Sequence, residues 1–389
     1  MSYLFFKNIN QEEFDEFVKN HEYCNLLQSY NWAKVKNNWD HMYTGVYRDN
    51  ELVATGLVLI KRLPLSFCMY YLPRGPIMDY KDKELVQYYF DQLKKIAKKD
   101  HCIFIKFDPA IHVNDYDSKS YNTNRYEDTD TYLEIFKSCK AIHHGYTMSI
   151  ADTVQPRFQS NVYSYENIEE TLPKHTKRLI KDADRRNVQI IHGQGELLDE
   201  FSRLVELTES RKGVALRDKE YFKTLLENYP EGSVIFLATC NVYQLDKEEK
   251  EKKVQLEKEM AATPENAKKK LHRLEDQLRS VDKDIKEFKE IFSEFGQEDK
   301  EIAIAGILSI QYGNTCEMLY AGMDERFKKL TPIAKWLEKR QEGEELLLRF
   351  FAFSEWYPKY SDSKGISKQL DEYMRDKNAA FDDTMKKEM

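Results

Sequence analysis

The spacing of apolar positions changes period along this chain, and the changes mark its parts. "HMYTGVY" from His41 and "ELVATGLVLI" from Glu51 are short apolar runs rich in β-branched and aromatic residues, joined by the turn "RDN". They read as paired strands. "SVIFLATCNVY" from Ser233 and "EIAIAGILSI" from Glu301 repeat the pattern, with Gly56 and Gly306 at the sixth position of the matching runs. Each pair follows two helix-like segments and precedes a "YLPRG" or "YAGMD" segment, then a helix and a further strand-like run, "CIFIKFDP" or "ELLLRFFAF". Two copies of one α/β unit account for this order.

In the second copy the place of the short turn is taken by Asp246 to Lys300, a segment rich in Lys and Glu. Leu271, Leu274, Leu278, Val281, Ile285, Phe288 and Phe292 alternate in steps of three and four, the seam of a left-handed coiled coil. Leu245, Leu256 and Met260 form a weaker seam before it, and "ATPEN" (Ala262 to Asn266) supplies a helix stop and restart. The expected element is a helical hairpin. Near the other end of the chain, "SYNWAKVKNNWD" (Ser29 to Asp40) predicts a helix that places Trp32, Val35, Lys36 and Trp39 on one stripe. Lys36 then sits at the edge of a buried aromatic face. Either its stem covers apolar surface while the ammonium reaches water, or it is a cation set for an anionic ligand.

Composition narrows the class. A chain of 389 residues, 13% aromatic and 33% charged, has the length for two folded domains and a heavily solvated surface. The net charge of -7 argues against a bulk nucleic-acid binder, so contact with RNA is expected to be local. Six cysteines are scattered without a CxxC pair, which suggests a reducing compartment and no zinc. The first twenty residues lack the layout of a signal peptide and no run approaches a membrane span, so any membrane contact is expected at the surface.

Four places could carry chemistry. "ETLPKHTKRLIKDADRRNVQI" gathers Lys174, Lys177, Arg178, Lys181, Arg185 and Arg186 on a helix that is either a solvated face or a phosphate contact. Lys268, Lys269, Lys270 and Arg273 form a second basic spot at the tip of the hairpin. In "RKGVALRDKEYF", a helix starting near Asp218 places Arg217 and Tyr221 around its N-terminus, as an anion site or as a loop closure. Asp108 ends the strand "IFIKFDP", where it is either a functional carboxylate or a turn initiator. No catalytic triad order, metal motif, P-loop or GxGxxG is present.

Several segments in order resemble the Fem (FemABX) family of aminoacyltransferases that build the interpeptide bridge of peptidoglycan, nearest to its MurM/MurN branch. These are "NLLQSYNWAKVKNNW", "YLPRGPIMDY", "FIKFDP", "VQPRF" (Val154 to Phe158), "LPKHTKRLIKDA", "RKGVALRDKEYF" and "YAGMDERFK", spread over most of residues 25 to 332. The resemblance implies two GNAT-like (acyl-CoA N-acyltransferase-like) domains, at 1–152 and at 153–244 with 301–389, the second interrupted by a coiled-coil arm at 245–300. It also implies that Lys36 and Arg217, with Tyr221 alongside, hold the phosphates of the cell-wall precursor, lipid II or UDP-MurNAc-pentapeptide. Lys36 would rest on a tryptophan platform. Asp108 and Tyr320 would line the same cleft and serve catalysis. Lys268, Lys269, Lys270, Arg273, Lys177, Arg178 and Lys181 are then candidates for contact with aminoacyl-tRNA.

The implied reaction is attack by the stem-peptide lysine, or by the growing branch, on an aminoacyl-tRNA ester, transferring a small amino acid, alanine or serine. The ester is already activated, so neither ATP nor a cofactor is expected. The implied location is cytoplasmic and peripheral at the membrane, with a sister Fem transferase as a further partner. After Thr331 and Pro332 the family continues through a glycine-glycine strand end and an "LYxFK" segment, whereas this chain reads "FFAFSEWYPKYSDSKGISKQLDEYM" with Lys359, Lys364 and Lys368 in that region. The alternative function is therefore a catalytically impaired Fem-fold protein that binds tRNA or a partner transferase through its coiled coil. An acyl-CoA-dependent GNAT activity is disfavoured, because the pyrophosphate loop of such enzymes is missing.

Overall fold

The computed structural model describes residues 2–116, 123–146, 154–159, 174–212 and 217–327. The run "ELLLRFFAF" and the three C-terminal lysines lie outside them. Strands β1 (Tyr3–Phe6), β2 (Asp40–Arg48), β3 (Glu51–Arg62) and β4 (Cys68–Arg74) follow one another across a sheet, β5 (Ile77–Met78) also pairs with β3, and β6 (Cys102–Pro109) lies beyond β4. Asp49 and Asn50, at φ 51° and 72°, make the tight turn that joins β2 antiparallel to β3. β4 and β6 are parallel, as the long crossover between them requires. A short pair, β7 (Asn114–Tyr116) and β8 (Thr123–Arg125), stands apart.

A second sheet runs β9 (Gln189–Gly193), β10 (Ser233–Cys240), β11 (Ile302–Tyr312), β12 (Thr315–Met323). Its strands are again neighbours in chain order. Helices α1 (Gln11–Asn20), α2 (Trp32–Val35), α3 (Lys83–Lys99), α4 (Thr129–Ser138), α5 (Lys174–Arg185), α6 (Leu198–Lys212) and α7 (Lys219–Asn228) precede or cover the strands. The two glycines noted in the sequence permit close helix packing over each sheet. A Cβ on Gly56 would lie 2.1 Å from the Tyr89 hydroxyl of α3, and one on Gly306 would lie 2.7 Å from Leu237 and 3.1 Å from Phe201 of α6.

The connection between β10 and β11 consists of α8 (Val242–Ala261) and α9 (Lys268–Phe295), packed against each other. Leu256 and Met260 of α8 meet Leu274, Leu278, Val281 and Ile285 of α9 in a small apolar cluster of their own. The Lys253–Asp282 and Lys270–Glu259 pairs, at 2.6 and 3.1 Å, flank it.

By packing, the chain divides into two units. One comprises residues 1–160, 190–239 and 303–323, and the other 161–189, 240–302 and 324–389. The first unit holds nearly all of both sheets, and one of its apolar cores runs from Phe14, Leu26 and Leu57 to Phe201, Phe222 and Leu308. The two sheets thus share a core.

Candidate functional site

Helix α2 is shorter than its apolar stripe predicts. It ends at Val35, and Lys36 is its C-cap, with its N–H bonded to the Trp32 carbonyl. Asn37 and Asn38 are weak helix formers, and β2 begins at Asp40, so the chain leaves the helix there. Trp32 and Lys36 still meet, the ammonium lying 5.2 Å from the indole centre. Trp39 does not join them. It lies under Lys61 instead, 5.7 Å from that ammonium.

The 3-10 turn Leu26–Gln28 and α2 are held from several sides. Buried Gln28 accepts the Leu57 N–H at 2.9 Å and donates to the Pro73 carbonyl at 2.6 Å, tying this segment to β3 and β4. The hydroxyls of Ser29 and Tyr229 share a 2.6 Å bond, and the Asn31 amide donates to the Asn228 carbonyl at 2.7 Å. These bonds bring the end of α7 against α2. At the start of α7, Asp218 is the N-cap and accepts the Tyr221 N–H at 2.9 Å.

The result joins four residues expected from the sequence. Lys36 Nζ lies 3.4 Å from the Tyr221 hydroxyl and 5.2 Å from its ring centre, and the Arg217 guanidinium lies 5.0 Å from the same ring. The Tyr320 ring, on β12, meets the Tyr221 ring edge-on at 5.9 Å. Burial, reinforced by the Arg217 charge, pushes the Lys36 ammonium down to about 8. Burial first, and then Tyr320, pushes the Tyr221 phenol up, so it stays a neutral donor at working pH. Among the described residues no carboxylate forms an ion pair with Lys36 or Arg217. Two neighbouring cations resting on aromatic rings without a counter-charge form a site that an anion would relieve.

Asp108 has a different set of contacts. Its carboxylate accepts the Tyr71 hydroxyl at 2.9 Å and the Arg74 N–H at 2.9 Å. Burial pushes its carboxyl up, against the opposing pull of these two bonds. Arg74 has a positive φ of 54° and donates from its guanidinium to the Pro156 carbonyl at 2.6 Å, which brings "VQPRF" to this group. Glu317 of β12 lies within the field of Arg74 and accepts the Leu26 N–H, while burial pushes its carboxyl up. Tyr71, Arg74 and Glu317 were not singled out from the sequence. "YLPRG" holds the first two, but nothing local signals Glu317.

The basic candidates fall in the other packing unit. Lys177, Arg178 and Lys181 are exposed on α5, and Lys268, Lys269 and Arg273 are exposed at the start of α9, where Lys270 pairs with Glu259. Among the described residues no group of His, Cys, Asp and Glu could hold a metal ion.

A mixed α/β protein with an aromatic-backed cation pair is the class these features define. The FemAB family profile matches residues 9–341, and the chain belongs to that family. It is 25% identical over 344 residues to a lipid II:glycine glycyltransferase of Staphylococcus haemolyticus (strain JCSC1435), covering 84% of this chain and 78% of the relative. A lipid II:glycine glycyltransferase of Staphylococcus aureus (strain bovine RF122 / ET3-1) is 26% identical with the same coverage. The crystal structure of FemX has the same fold at a TM-score of 0.61 and 22% identity, over 89% of this chain and 86% of that one.

Proposed function

We propose that this chain is an aminoacyltransferase that adds a small amino acid from aminoacyl-tRNA to the stem-peptide lysine or growing branch of lipid II. The observation that carries the proposal is Lys36 and Arg217, both set on Tyr221 and neither in an ion pair among the described residues. Their charges, both beside Tyr221, suit the diphosphate of a lipid- or nucleotide-linked precursor, and the relatives named above are lipid II glycyltransferases. The fold is read as two GNAT-like units with α8 and α9 as a coiled-coil arm, whose exposed lysines and Arg273, with the basic face of α5, are offered to tRNA. The protein works in the cytoplasm at the inner membrane face. Among the described residues, no helix is long and apolar enough to cross a membrane.

The chemistry to be catalysed is aminolysis of an ester. A lysine amine with a pKa of about 10.4 is neutral at pH 7 in roughly one molecule of two to three thousand, a deficit of about 4.7 kcal/mol. Asp108, whose carboxyl is pushed up by burial, is a better proton acceptor than an exposed aspartate and takes the proton from the ammonium. The amine attacks the ester carbonyl, Tyr320 donates to the developing oxyanion, and the carbon–oxygen bond to the tRNA ribose breaks as the proton shed by the attacking nitrogen passes to the leaving ribose oxygen. Amide and free tRNA result.

Sequence resemblance favours alanine or serine as the donor residue, and the names of the relatives favour glycine. The test is incubation with lipid II and tRNA charged with each of these, followed by the mass of the product. One residue's gain that requires charged tRNA supports the proposal, and the tRNA that supports it identifies the residue. No gain with any charged tRNA favours the alternative, a Fem-fold protein that binds tRNA or a sister transferase without turnover.

A further inference from the structure

At the end of the first sheet where β3 stops and β4 and β6 begin, the chain exposes apolar residues that a protein surface in water does not need. The β3–β4 turn, "LPLSF", presents Leu65 at 86% exposure and Phe67 at 42%. Beside it on β6, Ile103 and Phe104 are 59% and 49% exposed. They are neighbours because Cys68 pairs with Cys102 and the Cys68 N–H bonds the His101 carbonyl. The turn is shaped to project. Leu65 and Ser66 both have positive φ, 60° and 61°, and the Leu63 N–H bonds the Phe67 carbonyl across its base at 2.9 Å.

Basic side chains rim this patch. Lys61 and Arg62 end β3, and Lys98 and Lys99 end α3, all exposed. The acidic groups at the same end are already engaged: Asp40 pairs with Arg62 at 2.7 Å, and Asp100 accepts the Tyr70 hydroxyl. The patch also adjoins the candidate anion site. Lys61 covers Trp39, and Trp39 is three residues from Lys36, to which its N–H is bonded at 2.9 Å.

We propose that the Leu63 to Phe67 turn, with Ile103 and Phe104, is a membrane-docking surface that inserts into the headgroup boundary of an anionic phospholipid bilayer. The choice of partner rests on the reading that the acceptor is lipid-linked. A diphosphate bound to a lipid lies at headgroup depth. A protein that grips it through Lys36 must hold its own surface at the same level, with apolar side chains below and lysines at the phosphates. Leu65 and Phe67 supply the apolar part, and Lys61, Lys98 and Lys99 supply the attraction to anionic lipid.

The experiment pairs vesicle binding with transfer. The full chain is sedimented with vesicles of phosphatidylglycerol and, separately, of phosphatidylcholine, as wild type, as Leu65→Asp with Phe67→Asp, and as the milder Leu65→Ser with Phe67→Ser. Thermal melts check that the variants are folded. Wild type is expected to sediment with the anionic vesicles, and the aspartate variant to lose at least tenfold in partitioning, with the serine variant between them. Transfer to vesicle-borne lipid II should fall in parallel, while transfer to the soluble nucleotide-linked precursor stays at the wild-type level. A folded variant that sediments like wild type, or a wild type that ignores both kinds of vesicle, overturns the docking surface. Absence of transfer by wild type to either acceptor overturns the proposed function instead, and leaves the sedimentation result to be read on its own.

Discussion

At Lys36 two effects oppose each other. Burial and Arg217 favour the neutral amine, whereas the proposed diphosphate ligand favours the ammonium. A lysine that loses its proton more readily folded than unfolded costs stability wherever it is charged. That cost is complete below about pH 8 and fades as pH rises toward the ordinary value of 10.5, so over this window the group makes the free protein more stable. Ligand binding has the opposite dependence. Affinity for the nucleotide-linked precursor, measured by calorimetry, is expected to hold level below about pH 8 and to fall above it, with the fall removed in Lys36→Arg. Lys36→Ala and Arg217→Ala should each weaken binding by roughly 10- to 100-fold, the equivalent of about 1.5 to 3 kcal/mol for a charge-assisted contact. An unchanged affinity with a lowered melting temperature in Lys36→Ala would show that its stem, rather than its charge, is what the fold uses.

Among the elements, the helical pair α8 and α9 carries an unusual defect. Glu287 of α9 is buried, 7% exposed, and among the described residues neither of its carboxylate oxygens has a hydrogen-bond partner. Asp246 of α8 is also buried, with Lys250 on one oxygen at 2.6 Å and, among the described residues, no partner on the other. Burying a polar group without a partner costs about 1 to 3 kcal/mol. Glu287→Leu should therefore stabilise the pair by about 1 kcal/mol, read as a higher melting midpoint for the helical signal. A lower midpoint would mean that the carboxylate is satisfied by solvent and that the apolar side chain overpacks the helices.

For the whole molecule, the question is what depends on α8 and α9. They enter at the end of β10 and leave before β11, and their apolar cluster at Leu256, Leu274 and Val281 is internal to the pair. The first sheet joins the corresponding strands with Asp49 and Asn50 alone. Removing Asp246 to Lys300 and closing the strands with a short turn is therefore expected to leave a folded protein with an unchanged KM for lipid II and a raised KM for charged tRNA. Loss of folding would show that the pair completes a core, and an unchanged tRNA KM would remove its proposed role as a guide.

The sequence alone determined what depends on neighbours in the chain. Alternation and the turn residues mark β2 and β3, the three-and-four spacing marks the seam of α9, and Asp218 announces the start of α7, because these follow from periods of about 2 and 3.6 residues and from local capping bonds. Lys36 was legible as an oddity, a cation at an aromatic edge. Tertiary structure decided its surroundings. Its partner Tyr221 lies 185 residues away, Trp39 turns to Lys61 because the helix stops early, and Asp108 gains Tyr71 and Arg74 only when β4 and β6 pair. Glu317 joins them from the far end of the described chain. No local period records such meetings. They depend on which faces two sheets bury in a shared core, and that is settled by the packing of the whole unit.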